Sequence, residues 1–242
     1  MFFFVLILAI DTSTRTGSIA LLRDRIVLAE VSSHEETPYS TRLFRDLDVL
    51  KANTQFDLAQ IDVFAVASGP GSFTGLRIGL TAVKAWAEVY GKPIAAVSGL
   101  EAISSQSRGD LGLKDQILAP FFDARRGQLF GALYRSAAGS PLAVELVAEA
   151  AILSPMEFID LVKGSFHMGQ PRLVSPVSEL LPHSLVQEFL PHVEIEIVSP
   201  ILAPAIGRLG FDRAKRGDLL DALRLDANYV RRSDAESAWK DA

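Results

Sequence analysis

Two aspartates, a hydroxyl-rich turn and a glycine loop are where this sequence combines residue types and spacing able to do chemistry. Asp11-Thr12-Ser13-Thr14 follows the apolar run Val5 to Ile10, and Asp123-Ala124-Arg125-Arg126 follows Ile117 to Phe122. A carboxylate at a strand end serves as a metal ligand or a base, or it forms a turn by accepting hydrogen bonds from the backbone that follows. The turn reading is favoured for both. The loop is Ser68-Gly69-Pro70-Gly71-Ser72-Phe73-Thr74-Gly75-Leu76-Arg77-Ile78-Gly79. Its glycines at 69, 71 and 75 let backbone N–H groups converge at a helix N-terminus capped by Ser72 or Thr74, an arrangement that suits a phosphate or carboxylate. Asp11, Thr12, Ser13, Gly69, Gly71, Ser72, Thr74 and Gly75 are thus a candidate anion loop. No Lys-Ser or Lys-Thr follows as in a Walker loop, and the third glycine comes one residue late for G-x-G-x-x-G. The second reading is a tight strand-to-helix turn whose glycines serve close packing.

Other chemistries find little support. The four histidines, at 34, 167, 183 and 192, lack metal-ligand spacing, and His34-Glu35-Glu36-Thr37-Pro38 is not H-E-x-x-H. The absence of cysteine leaves no thiolate or disulfide chemistry and fits a reducing compartment, with the cytoplasm as the expected location. No Ser, His and Asp grouping is identifiable. A net charge of −5 argues against independent nucleic-acid binding. The pairs Arg125-Arg126 and Arg231-Arg232 read as solvated faces, so any RNA contact needs a partner. The opening apolar run, Met1 to Ile10, is half the length of about 20 residues that a membrane span needs, and no basic residue precedes it. It reads as a central strand.

The elements that position these residues follow from periodicity. Val5–Ile10, Gly17–Leu22 and Ile26–Val31 read as three strands of a meander. A helix over 38–52 follows, capped by Thr37, with Pro38 at its first position and Tyr39, Leu43, Phe44, Leu47 and Leu50 on one stripe. Next come a buried strand over 61–67, a helix over 74–90 with Trp86 and Tyr90, a strand at 94–97 and a helix from Leu100. The second half repeats the order. It places strands near 117–123, 128–135 and 143–148, a helix over 155–162, a short strand near 165–168, a helix near 177–189, a strand at 193–198 and a helix over 203–216. Both halves read β-β-β-α-β-α-β-α, which predicts an α/β fold of two lobes with mixed sheets: residues 1–105, residues 106–230, and a tail over 231–242 that frays. Trp239 in that tail is a candidate partner anchor.

This order, with Asp-Thr-Ser-Thr after the first strand, resembles the superfamily of actin, sugar kinases and Hsp70 chaperones, an actin-like, ribonuclease H-like fold. Ile10 to Thr14, Ser68 to Gly79, Asp123 to Arg126 and Asn228-Tyr229-Val230-Arg231 narrow the resemblance to the TsaB family, along the whole chain and most densely over 8–105. The resemblance implies a non-catalytic subunit of the bacterial tRNA threonylcarbamoyladenosine machinery. Such a subunit pairs with a catalytic TsaD-type paralogue, works with a TsaE-type ATPase and meets tRNA only through the complex. The threonylcarbamoyl group passes from its adenylate to the adenosine beside the anticodon of tRNAs that read codons starting with A.

The catalytic paralogue carries H-x-x-x-H on the helix after its meander, where this chain has Pro38-Tyr39-Ser40-Thr41-Arg42-Leu43. In the second lobe, where superfamily ATPases hold phosphates on a glycine-rich turn, Phe166 to Pro171 contains a single glycine. The resemblance therefore implies that this chain alone binds no cofactor, with ATP and metal used by its partners and its anion loop inherited but idle. It carries partner binding onto Tyr39, Leu43, Phe44 and Leu47, with Trp86 beside them, against the plain alternative that these are core. A homodimer through the same face in the partner's absence, and no membrane association, complete the expectation. The competing reading is a free-standing ATP-dependent phosphotransferase using the 69–79 loop, with Asp11 or Asp123 for Mg²⁺ or as base.

Overall fold

In the computed structural model, which describes residues 4–34, 38–107, 116–136 and 144–230, the expected repetition appears as two five-stranded sheets. The first contains β1 (Leu6–Asp11), β2 (Gly17–Arg23), β3 (Ile26–Ser33), β4 (Val63–Gly69) and β5 (Ile94–Ser98) in the order β3-β2-β1-β4-β5. The second contains β6 (Ile117–Arg125), β7 (Gln128–Ser136), β8 (Val144–Leu153), β9 (Pro171–Ser175) and β10 (Ile195–Ile197) in the order β10-β9-β6-β7-β8. Read from the end of each meander, the two orders are the same. In both, the first strand runs antiparallel to the second and parallel to the fourth.

The first sheet is apolar on both faces because helices cover both. Leu8, Ile10, Ile19, Leu21, Phe64 and Val66 share a core with Leu43, Leu47 and Leu50 of α1 (Tyr39–Thr54) and Leu76, Leu80 and Val83 of α2 (Phe73–Tyr90). Residues of opposite parity, such as Leu22 and Ala65, meet α6 (Ala203–Arg216) on the other face. Full burial of each Leu or Ile contributes about 1.5–3 kcal/mol. Ser72 caps α2 by accepting from the Gly75 N–H (3.3 Å), and Gly91 ends it in the left-handed region at φ 62°.

The chain divides into two compact units, one comprising the residues up to Gly99 and again from Ile201, the other Leu100–Pro200. This corrects the lobe boundaries expected from element order. The helix over 203–216, assigned to the second lobe, packs on β1, β2 and β4 of the first sheet. Its contact face is Ala203, Ala205, Ile206, Gly207, Leu209 and Gly210. A Cβ on Gly210 would lie 2.8 Å from the Ala65 Cβ, so only a side chain this small lets the helix settle at that distance. Beyond α6, Leu220 and Ile94 exchange two backbone hydrogen bonds of 2.8 Å, which ties the segment to the edge of β5. The tail over 231–242, expected to fray, and Trp239 within it fall outside the described residues, as does the Thr37 cap.

In the second unit α4 (Pro155–Gly164) covers β7 and β8. Phe158 packs on Phe121 with ring centroids 5.2 Å apart, and Gly131 leaves room for its ring. Two local expectations differ from the structure. Residues 166–168 form a 3-10 turn rather than a strand, and the strand comes later, starting at Pro171 where a missing N–H is tolerated. The helix expected near 177–189 is a 3-10 turn at Ser178–Leu180 followed by α5 (His183–Phe189), because Pro182 interrupts the helical hydrogen bonding. The helix from Leu100 is the short α3 (Gly99–Ser104). No helix among the described residues is long and apolar enough to cross a membrane.

Candidate functional site

The glycine loop joins β4 to α2, and the chain's own backbone fills it. Thr12 and Ser13, just past β1, press against its first helical turn. A Cβ on Gly75 would lie 1.9 Å from the Thr12 carbonyl oxygen, and one on Gly71 2.5 Å from that of Ser13. The Thr12 hydroxyl donates to the Gly75 carbonyl (2.7 Å), and the Ser72 N–H donates to the Ser13 carbonyl (2.8 Å). From the other side, Asn228 donates its N–H to the Ser68 carbonyl (2.7 Å), and its carbonyl oxygen stands 2.5 Å from where a Gly69 Cβ would be. Of the two sequence readings, close packing is the one these distances support. Two donors that an anion would want, the N–H groups of Ser72 and Gly75, already serve the Ser13 carbonyl and the Ser72 hydroxyl. Thr74 is exposed on the outward side of α2.

Asp11 is fully buried. Its Oδ1 accepts from the Ser13 N–H (2.8 Å) and hydroxyl (2.6 Å), and its Oδ2 accepts from the Thr14 hydroxyl at 3.3 Å. Burial pushes its carboxyl above the ordinary 3.8, and the bonds from Ser13 and Thr14 oppose that shift without cancelling it. Asp123 is exposed, and its Oδ1 accepts from the Arg125 N–H at 2.6 Å. Both carboxylates thus brace the turn that follows them. Among the described residues no three His, Cys, Asp or Glu side chains converge as metal ligands would.

The expected partner residues divide sharply. Leu43 and Leu47 are only 4% and 5% exposed and belong to the core between α1, α2 and the sheet. Their expected place on a partner surface is therefore corrected: the α1 stripe read from periodicity is its inward face. Phe44, one position round the helix from Leu43, is 52% exposed and meets Trp86 edge-on at 6.4 Å. Trp86 is half-buried and leans on Phe64. Tyr39 is half-buried, with the Arg42 guanidinium 4.6 Å from its ring. On α2, Thr74, Thr81, Ala85 and Val89 are exposed and Ile78 is half-buried, so an uncharged stripe runs along the helix beside Phe44 and Trp86.

Two features were invisible in periodicity. Arg42 and Asp46, i and i+4 on the α1 stripe, are buried; the Arg42 Nη1 donates to the carbonyls of Arg15 (3.0 Å) and Ser33 (3.1 Å), and the Ser33 hydroxyl donates to Asp46 (2.6 Å). This network pins α1 to the end of β3 and the β1–β2 turn. The signal was two charges among apolar positions. The second feature is a stack: the Arg77 guanidinium lies 3.8 Å over the Phe73 ring, Phe73 lies 5.0 Å from Tyr229, and the Arg77 Nε donates to the Tyr229 hydroxyl at 3.3 Å.

The family model for TsaD, tRNA N6-adenosine threonylcarbamoyltransferase, matches residues 31–162. The tRNA threonylcarbamoyladenosine biosynthesis protein TsaB of Bacillus subtilis is 31% identical over 233 residues, which cover 96% of this chain and 97% of that protein. The solved structure of YeaZ from Pseudomonas aeruginosa superposes with a TM-score of 0.68 at 20% identity, covering 93% of this chain and 99% of that one. A ROK hexokinase from Thermus thermophilus superposes with a TM-score of 0.52 at 9% identity, covering 87% of this chain and 100% of that one. At such identities the two structures speak to the fold alone, which is the two-lobed α/β fold of the actin-like sugar kinases.

Proposed function

This chain belongs to the TsaB family of tRNA threonylcarbamoyladenosine biosynthesis proteins, and from that membership we propose that it is a non-catalytic scaffold subunit. It holds a TsaD-type catalytic paralogue, with a TsaE-type ATPase, during transfer of a threonylcarbamoyl group from its adenylate to the adenosine beside the anticodon. ATP and metal belong to the partners, and tRNA is engaged through the assembly.

The observation that carries this reading is the uncharged stripe along α2 together with the exposed Phe44 of α1 beside it. Phe44 and Val89 are 52% and 74% exposed, and Ile78, Thr81 and Ala85 lie between α2's ends on the same side. Apolar side chains grouped on one surface mark a protein contact. The heterodimer forms there, with Phe44, Trp86 and Tyr39 as its aromatic members. Without the partner, two copies of this chain pair through the same face about a two-fold axis. The filled glycine loop supports a scaffold over a phosphotransferase, since Thr12, Ser13 and Asn228 occupy the space and donors a phosphate would need.

Reconstitution on unmodified tRNA tests the reading. The chain alone, given ATP, threonine and bicarbonate or the preformed adenylate, makes no threonylcarbamoyladenosine, and its addition to the TsaD-type and TsaE-type proteins raises product formation. Product from the chain alone, or no stimulation of the partners, contradicts it. Magnesium-dependent ATP binding by the isolated chain in calorimetry would favour the phosphotransferase.

A further inference from the structure

We infer that Arg77 is a pre-positioned cation at the rim of the α1–α2 face and that it receives a carboxylate from the partner protein. The inference rests on the partner-face reading above. At about 100° per residue, Trp86 stands about half a turn round α2 from Arg77. Trp86 meets α1, so Arg77 bounds the uncharged stripe on its opposite margin.

Arg77 is exposed, yet its side chain is held. The guanidinium lies over Phe73 (3.8 Å) and reaches the Tyr229 ring (6.0 Å) and its hydroxyl (3.3 Å from Nε). Tyr229 is fixed in turn by its neighbour Asn228, whose N–H donates to Ser68. Two segments far apart in sequence thus converge to immobilise one exposed arginine. Among the described residues neither of its Nη atoms has a hydrogen bond or ion pair, which leaves the planar fork open. A guanidinium whose rotamer is already fixed by stacking loses less entropy on binding, and its fork matches the two oxygens of a carboxylate. Phosphate would fit the same fork. The chain's net charge of −5 and the uncharged stripe beside Arg77 favour an acidic side chain on a protein over a tRNA backbone.

Association of the full chain with the TsaD-type partner is followed by surface plasmon resonance at low and physiological salt, for wild type, Arg77→Glu, Arg77→Gln and Phe44→Asp. Rim charges act mainly on association rate and its salt dependence, so Arg77→Glu should slow association about tenfold at low salt and flatten the salt response. Arg77→Gln should do so to a smaller extent, and it carries the test if Arg77→Glu alone lowers the unfolding temperature. Phe44→Asp should abolish binding. If Phe44→Asp abolishes binding while both Arg77 variants match wild type, the carboxylate role is overturned and the partner face stands. If Phe44→Asp is also silent, the partner face fails and the inference with it. Unchanged heterodimer kinetics with weaker tRNA retention by the assembled complex would overturn the carboxylate in favour of phosphate.

Discussion

Asp11 ends β1 and Asp123 lies near the end of β6, corresponding places in two sheets of one strand order, and their surroundings differ completely. Around Asp11 the chain packs on itself: the glycine loop receives Thr12 and Ser13 from one side and Asn228 from the other, and the carboxyl is sealed. Around Asp123 the chain is an open hairpin, with Arg125, Arg126 and Gly127 in the left-handed region and the carboxylate in solvent. A duplicated topology has kept the aspartate as a turn former in both sheets while burying only one. Burial, and not the residue itself, sets what each carboxylate costs.

Glycine substitutions break this contrast with the largest expected effect. Gly75→Val drives side-chain carbon into the Thr12 carbonyl, where even a Cβ would be 1.9 Å away, and should cost more than about 3 kcal/mol. Gly127→Ala meets no atom within 4 Å and carries only the penalty of φ 72°, about 1 kcal/mol. Urea unfolding of both variants checks the difference. Equal losses would mean that the first loop is no more tightly packed than the second hairpin.

The pH dependence of stability sharpens the contrast. The folded-state pKa of Asp11 is raised above 3.8, so the native state holds a proton that the unfolded chain releases in the interval between. The stability this contributes is complete below about 3.8 and is lost as pH rises through the folded-state value. Asp11→Asn removes the titration, and the difference in unfolding temperature between Asp11→Asn and wild type should widen in the variant's favour as pH rises. An unchanged slope in Asp11→Asn would show that its carboxyl is solvated.

Smaller effects follow from single contacts. Ser13→Ala removes the hydroxyl that donates to Asp11 at 2.6 Å and should cost about 1–3 kcal/mol, because a buried acceptor loses a partner. Arg126→Gly relieves a non-glycine residue at φ 56° and should stabilise by less than about 1 kcal/mol. Thermal unfolding of the two variants, in opposite directions, would confirm which turn is held by bonds and which by backbone permissiveness.

Much of the fold was legible because it is written locally. Val63 to Ala67 and Leu6 to Ile10 are apolar at every position, which only a strand covered on both faces requires, and Pro38, Ser72 and Gly91 punctuate the helices beside them. What stayed hidden depends on contacts between residues far apart in sequence. Nothing near Asn228 says that it meets Gly69, and nothing in 203–216 says which sheet its small-residue face will cover. Leu43, Phe44 and Leu47 share one apolar stripe in the sequence, yet about 100° of rotation puts Phe44 in solvent and the leucines in the core. The glycine motif was visible, but whether it cradles an anion or a carbonyl depends on what tertiary structure brings to it.

The central claim is that the α1–α2 face holds a catalytic paralogue, and light scattering on a sizing column tests it most directly, with the chain run alone and then mixed with the TsaD-type protein of the same genome. A new peak at the summed mass of one copy of each, lost on Phe44→Asp in this chain, is the expected result. Two unchanged peaks for the wild-type mixture, or a heterodimer that survives Phe44→Asp and Val89→Asp together, would contradict it.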